Sequence, residues 1–329
     1  MLLELNRRKR PLLLAFAAMS LAVFSTGEAV ARYPERTVRF VVPFAPGGGT
    51  DVVARTLAQE MAKELGVSVI IENKPGAGTI IGTQAVEGSE GDGYTLLMGT
   101  FANAVNPGLY AKLPYDQHRD LAAVALVARS FSIVVVNPKS PIQSIKDLIA
   151  AAKADPDKLS YGTYGTGTSA HLAGELFKHM ASVNLTTVPY KGSAPAITDL
   201  IGGQIQVMFT TVASAASLIE GGQLRALAVT SAERSPAFPN LPTVSEAGVP
   251  GYDAEAWYGL FAPAKTPPEI IERLNKAAAT AVKAEAFKKL SVNEGLMVVA
   301  SPPAELDRYF RDEEDRWRKV IQDAGIKAD

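Results

Sequence analysis

The sequence contains no cysteine, only three histidines and no long run of charge of one sign. Without cysteine the chain has neither a disulfide framework nor a catalytic thiol. The histidines, His118, His171 and His179, show none of the spacings typical of zinc sites, so we expect neither a metal nor a cofactor. A formal net charge of −1, with no concentrated basic segment, argues against a nucleic-acid partner.

Long hydrophobic runs are also absent beyond the N-terminus. The four basic residues at 7–10 precede a largely apolar stretch at 12–24, and the small residues Ala29 and Ala31 follow. This order is typical of a cleaved export signal. We predict a signal peptide over residues 1–31, cleavage near Ala31 and export of the mature protein. Sec and twin-arginine export both stay open, and a retained membrane anchor is the alternative.

The rest of the chain alternates between strand-like and helix-like patterns. Segments such as 38–42 are rich in β-branched residues, and 50–65 repeats apolar residues every four positions. The run 121–136 is predicted to form two short strands broken at Arg129 and Ser130. The last long helix is predicted to have Ser301 as its N-cap. This alternation predicts an α/β protein with mostly parallel sheets flanked by helices.

The alternation starts twice, which predicts two domains. The first block breaks off near residue 130, before the two long C-terminal helices that would complete it. We therefore expect domain one to comprise 32–130 and 255–329, and domain two to comprise 131–254.

Three glycine-bearing turns, at 46–49, 75–78 and 165–169, each lie between a strand and a helix. The free N–H groups of a first helical turn attract an anion, and glycine has no Cβ to keep that anion away. The turns have neither the lysine of a phosphate-binding loop nor the dinucleotide spacing, which favours a carboxylate over a nucleotide. Glycines that serve only tight turns are the alternative. Asp51 is expected to cap its helix and to point away from the anion, and Phe44 is either core or pocket wall.

Nucleophilic catalysis has little support. Ser169 and His171 lie two positions apart at a helix start, so their side chains point in different directions. We expect His171 to donate a hydrogen bond to the ligand or to lie at the surface. Lys191, just after a strand, is expected to be solvated or to act as a distal charge partner. We predict no catalytic residues and no enzyme.

Seven stretches in order resemble the Bug-type extracytoplasmic solute receptors, the substrate-binding components of tripartite tricarboxylate transporters. They are VPFAPGGGTDVVAR, NKPGAGTIIGTQAV, ANAVNPGLYAKLPYD, YGTYGTGTSAHLAGELF, VPYKGSAPAITDLIGGQIQVMF, LRALAVTSAERSPAFPNLPTVSEAGVPGY and WYGLFAPAKTPPEIIERLN. The resemblance implies a two-domain, type II-like periplasmic binding protein with its ligand cleft between the domains. It also implies capture of a small organic carboxylate for the membrane subunits of a transporter, and we expect a monomer.

The resemblance implies ligand contacts from both domains. The candidate residues are Phe44, Pro46, Gly47, Gly48, Gly49, Asp51, Gly76, Ala77, Gly78, Thr100, Asn103, Thr166, Thr168, Ser169, His171, Tyr190, Lys191 and Thr211. Many relatives carry an acid where this chain has Thr210 and Thr211, which disfavours an amino-acid ligand. Monocarboxylates, dicarboxylates, aromatic acids and neutral amides stay open. A receptor that presents its ligand to a membrane sensor kinase is the alternative function, and a periplasmic hydrolase is a remote one.

Overall fold

The fold is taken from a computed structural model that describes residues 33–326, apart from 157, 166, 191, 192 and 236. The predicted signal peptide, residues 1–31, lies outside the described residues. Within the described part, no helix is both long enough and apolar enough to cross a membrane.

Strands and helices alternate along the chain, as the sequence pattern predicts. The strands are β1 (Val38–Val42), β2 (Val69–Asn73), β3 (Thr95–Thr100), β4 (Leu121–Val136), β5 (Ser160–Thr163), β6 (Thr186–Pro189), β7 (Val207–Thr211), β8 (Arg225–Val229), β9 (Glu255–Pro263) and β10 (Leu296–Val298). The helices are α1 (Gly49–Leu65), α2 (Ile80–Glu87), α3 (Phe101–Leu109), α4 (Gln117–Asp120), α5 (Ile145–Ala154), α6 (Ser169–Ala181), α7 (Ser193–Ile201), α8 (Val212–Glu220), α9 (Pro268–Ala281), α10 (Glu285–Glu294) and α11 (Pro303–Asp323). A short 3₁₀ turn, Ala77–Thr79, precedes α2.

Strand β4 connects two ladders. Its residues 121–131 pair with β9, and its residues 132–136 pair with β7. On one side β1 pairs with β2 and β3, and on the other β5 pairs with β6 and β7, all in parallel. The path is therefore β2-β1-β3-β9-β4-β7-β5-β6, and β8 and β10 also pair with β4.

The α/β class is confirmed, but two details of the sheet prediction were wrong. The sheets are mixed rather than mostly parallel, because every pairing of β4 and of β9 is antiparallel. Strand β4 is also not broken at Arg129 and Ser130, which pair with Trp257 and Ala256 of β9. A charged residue fits in this strand because the Arg129 side chain is partly exposed and its guanidinium lies 3.4 Å from the carboxyl group of Glu255.

The hydrophobic core fixes the helices against the sheets. Val53, Leu57 and Met61 of α1 are fully buried, as their four-residue spacing predicts. The start of α11 differs from its prediction, because Pro302 and not Ser301 is the N-cap. The Ser301 hydroxyl accepts a hydrogen bond from Leu126 N–H at 3.0 Å, which ties the start of α11 to β4.

Candidate functional site

A cavity of about 460 Å³ lies where five helices begin. Each helix contributes its N-cap or its first residues to the lining: Gly49 and Thr50 of α1, Thr79 before α2, Thr100, Phe101 and Ala102 at α3, Thr168 and Ser169 at α6, and Thr211 before α8. The N–H groups of a first helical turn have no acceptor within the helix, and the helix dipole adds positive potential there. The described lining residues include no lysine, arginine, aspartate or glutamate. Attraction of an anion by this lining therefore depends on backbone N–H groups and helix dipoles rather than on a cationic side chain.

Helices α1, α2 and α8 begin without a side-chain cap. Helix α1 follows Gly48, which has no side chain to offer, and the hydroxyls of Thr79 and Thr211 do not cap α2 and α8. The Thr79 hydroxyl accepts from Asn106 Nδ2 at 3.1 Å, and the Thr211 hydroxyl donates to Ser214 Oγ at 3.0 Å. Threonine commonly caps helices. Its diversion to other bonds leaves first-turn N–H groups available to a ligand.

The first glycine turn is held by the buried carboxylate of Asp51. Its Oδ2 accepts from Gly47 N–H and from Arg55 Nε, and its Oδ1 accepts from Asn73 Nδ2, each at 2.8 Å. Burial alone would raise the pKa of Asp51, but the hydrogen bonds from Arg55, Gly47 and Asn73 outweigh it and lower the pKa to about 2. Asp51 is not among the cavity-lining residues. Asp51 therefore holds the turn through the Gly47 N–H and does not face the cavity.

The glycine turn before α6 is held in a similar way. Gly167 has φ of 77° and donates its N–H to His171 Nδ1 at 3.2 Å. Thr168 caps α6 by accepting from His171 N–H at 3.3 Å, and its hydroxyl donates to Gly165 O at 2.8 Å. A positive φ favours glycine, which explains the residue at 167. His171 therefore lies behind the turn and not in the cavity lining.

The structure brings some of the sequence-predicted residues to the cavity and leaves others behind it. Those in the lining are Phe44, Gly49, Gly78, Thr100, Thr168, Ser169 and Thr211. Those outside it are Pro46, Gly47, Gly48, Asp51, Gly76, Ala77, Asn103, His171 and Tyr190. Thr166 and Lys191 lie outside the described residues.

Besides Asp51 and His171, two more residues outside the lining make hydrogen bonds that hold the structure around it. Asn103 Oδ1 accepts from Thr100 N–H at 3.0 Å, and its amide donates to Thr83 Oγ1 at 2.9 Å. Tyr190 donates to Asp199 Oδ2 at 2.7 Å, and burial together with that carboxylate raises the tyrosine pKa to about 12. Asn103 therefore holds the start of α3 against α2, and Tyr190 ties the end of β6 to α7.

The cavity has an apolar wall that the sequence reasoning missed. Its members are Phe101, Leu109, Tyr110, Tyr164, Ala256, Trp257 and Tyr258. Tyr164 follows β5 directly, and its hydroxyl donates to Thr210 Oγ1 at 2.5 Å and accepts from Thr211 N–H at 3.2 Å. Trp257 packs edge-to-face on Phe310 of α11 at 5.6 Å. The position of Tyr164 between a strand end and a glycine turn was the one available signal.

No group of three or more metal-ligating side chains occurs in the part of the chain that the structure describes. With helix N-termini in place of charged side chains, the cavity suits reversible binding of a small anion. The fold and this site together define an α/β solute-binding protein.

Comparison with known proteins gives the family. Residues 53–326 match the model of the tripartite tricarboxylate transporter family receptor, and the chain belongs to this family. It is 37% identical to the protein BugT of Bordetella pertussis over 90% of this chain and 91% of BugT. The resemblance to Bug-type receptors is therefore confirmed, and the family is one of solute-binding proteins, not of enzymes.

Solved structures agree with this assignment. The periplasmic binding protein BugD is 35% identical with a TM-score of 0.78, over 90% of this chain and 100% of BugD. The R. palustris protein Rpa4515, whose structure holds adipate, is 36% identical with a TM-score of 0.80, over 90% of this chain and 100% of that protein. The periplasmic-binding-protein fold predicted from the sequence is confirmed.

Proposed function

We propose that this chain captures a small organic carboxylate in the cavity and delivers it to the membrane subunits of a tripartite tricarboxylate-type transporter. The observation that carries the proposal is the set of five helix N-termini around a cavity without a charged residue in its described lining. Each helix terminus stabilises an anion by about 0.3–2 kcal/mol, so several together hold a carboxylate without an ion pair. The adipate bound to the R. palustris relative supports a carboxylate.

The lining residues also limit the class of ligand. An ammonium group in a dry cleft requires an anionic partner, and no aspartate or glutamate lies among the described lining residues. The aromatic wall, with Phe101, Tyr164 and Trp257, suits a hydrocarbon chain or a ring. We therefore propose a carboxylate with an apolar body and disfavour amino acids.

We propose that the ligand lies between two lobes, 32–130 with 255–329, and 131–254. The change of partners along β4, between Phe131 and Ser132, and the start of β9 at Glu255 support these boundaries. Helices α1, α2 and α3 then belong to lobe one, and α6 and α8 to lobe two. A ligand that contacts both lobes favours their closed arrangement.

We further propose that Gly49, Gly78, Thr100, Ser169 and Thr211 contact the ligand, whereas Gly47, Asp51 and His171 hold the turns that present it with N–H groups. Membership of a family with periplasmic binding proteins supports export, with the signal peptide cleaved near Ala31.

A thermal-shift screen of residues 32–329 tests the proposal. The protein is first unfolded and refolded, so that any ligand from the expression host is removed. The panel contains monocarboxylates, dicarboxylates including adipate, aromatic acids, amino acids and neutral amides. A ligand at 100 times its Kd adds about 2.7 kcal/mol of stability. Stabilisation by a carboxylate, with calorimetric binding of one ligand per chain, is the expected result. Stabilisation by amino acids alone contradicts the proposed ligand class.

A further inference from the structure

Two glycine turns in this molecule are held by the same geometry. Gly47 donates its N–H to Asp51, and Gly167 donates its N–H to His171, in each case four residues further along the chain. Both glycines have positive φ, 86° and 77°. In each case the acceptor lies in the first turn of the helix that follows, α1 or α6. The two turns differ in the chemistry of the acceptor.

The acceptors respond differently to pH. The carboxylate of Asp51, with a pKa of about 2, stays ionised and accepts hydrogen bonds throughout the neutral range. An imidazole nitrogen accepts only while it carries no proton. The bond from Gly167 to Nδ1 assigns the ring the tautomer with its proton on Nε2, which lies 3.9 Å from Glu175 Oε1. Protonation of Nδ1 would place two donors against each other.

We propose that His171 is a positioning residue of the ligand site: its Nδ1 holds Gly167 in the turn before α6, and protonation of that nitrogen releases Gly167 and weakens ligand binding. This proposal rests on the proposed function, because the turn leads directly into Gly167, Thr168 and Ser169 of the cavity lining. At low pH the turn before α6 is therefore released, whereas the turn that Asp51 holds stays in place.

Among the described residues, three ionisable side chains lie around His171: Glu175, Lys178 and Tyr161. Glu175, one turn further along α6, accepts from Tyr161 of β5 at 2.5 Å and from Lys178 at 2.9 Å. Burial would raise the pKa of Glu175, but the hydrogen bonds from Tyr161 and Lys178 outweigh it and lower the pKa. Tyr161 also donates to the backbone carbonyl of His171 at 3.3 Å. The Glu175 carboxylate favours a proton on the imidazole, and the Lys178 ammonium opposes it. Histidine is the side chain whose charge changes between about pH 5 and 8.

Three variants separate positioning from structure. His171→Asn places an amide oxygen close to the position of Nδ1, so it accepts from Gly167 without titrating. His171→Leu removes the acceptor. His179→Asn is the matched control, because His179 is exposed on the same helix. Thermal unfolding of each variant confirms that it is folded.

The decisive measurement uses the ligand-free protein. In the protein labelled with ¹⁵N-glycine, the Gly167 amide resonance is expected to move with the midpoint of the His171 ring, in wild type and in His179→Asn. It is expected to stay constant in His171→Asn. A Gly167 amide that does not follow the ring, or a ring with its proton on Nδ1 at neutral pH, overturns the proposal. Because no ligand is present, this result stands apart from that of the carboxylate screen.

Binding of adipate, the probe, from pH 8 to pH 5 adds a second readout. Wild type and His179→Asn are expected to lose about fivefold in affinity, the effect of one hydrogen bond. His171→Asn is expected to keep its affinity across this range, and His171→Leu to bind weakly at every pH. A folded His171→Leu that binds adipate like wild type overturns the proposal. If adipate does not bind at all, the Gly167 resonance decides.

Discussion

Replacing Asp51 with alanine removes the acceptor that holds the first glycine turn. The side chain is 3% exposed, and its two oxygens accept from Gly47, Arg55 and Asn73. Arg55 is half exposed and turns to water when its partner is lost. The Asn73 amide keeps its hydrogen bond to the Phe44 carbonyl at 3.0 Å, but the Gly47 N–H has no replacement acceptor. We expect the turn to open and the start of α1 to fray.

The pKa of Asp51 gives the size of the effect. At about 1.4 kcal/mol per pH unit, the difference between the ordinary pKa of 3.8 and about 2 corresponds to about 2.5 kcal/mol. Because the pKa is lowered in the folded state, this stability is present above pH 3.8 and is lost as the pH falls through about 2. The unpaired Gly47 N–H adds to the loss, so we expect Asp51→Ala to cost about 2–4 kcal/mol at pH 7.

Urea unfolding at pH 7 and at pH 3 measures this loss. Asp147→Ala is the matched control: Asp147 lies in the first turn of α5 and accepts from Gln143 N–H at 3.1 Å, but it is exposed. We expect the control to lose less than about 0.5 kcal/mol. The difference between wild type and Asp51→Ala should narrow by about 1 kcal/mol at pH 3. Equal losses in the two variants, or a difference that does not change with pH, would refute the reasoning.

Three further changes test other parts of the molecule. Burial, then the charge of Asp253, raises the pKa of Glu255 to about 7, so this group favours folding below pH 4.5 and loses that contribution as the pH rises through 7. From pH 5 to pH 8, wild type should therefore lose about 2–3 kcal/mol more of its free energy of unfolding than Glu255→Gln does. Equal losses in the two proteins, measured by urea unfolding at each pH, would contradict this. Gly49→Val fills space at the start of α1 and should weaken carboxylate binding at least about tenfold by calorimetry without unfolding the protein. Gly48→Ala is its control, because the new Cβ meets only Ala45 O at 4.0 Å, and equal affinities in the two variants would count against the anion site. Ser169→Ala should cost about 1–3 kcal/mol of carboxylate binding if the hydroxyl contacts the ligand, and an unchanged Kd would leave Ser169 a structural role.

Hydrophobic periodicity predicted much of the fold because it reports burial directly. The buried residues of α1 repeat at helical spacing, and three of the five residues of β1 are valine. Polar residues were misleading where tertiary contacts satisfy them. Arg129 and Ser130 looked like a break in β4, yet both pair with β9, and the Arg129 guanidinium lies 3.4 Å from the Glu255 side chain. Helix α3 was missed, and it contains Pro107, a residue that usually ends helices.

The candidate site was predicted only in part, because its parts come from distant segments. The glycine turns have a local signature, and Gly49, Gly78 and Ser169 do lie at the cavity. The aromatic wall has no such signature. Trp257 and Tyr258 read as an ordinary strand, and only the antiparallel pairing of β9 with β3 and β4 brings them to the cavity.

The pairing of β4 with β9 has a consequence for how the chain folds. The paired residues lie between 124 and 142 positions apart in sequence. Contacts of this range require closure of a long loop before they stabilise anything, so such topologies fold slowly. Strands β1 to β3 also emerge during synthesis long before β9, which covers the open edges of β3 and β4. We therefore expect that the N-terminal third of the chain does not fold on its own and that fragments ending before β9 aggregate.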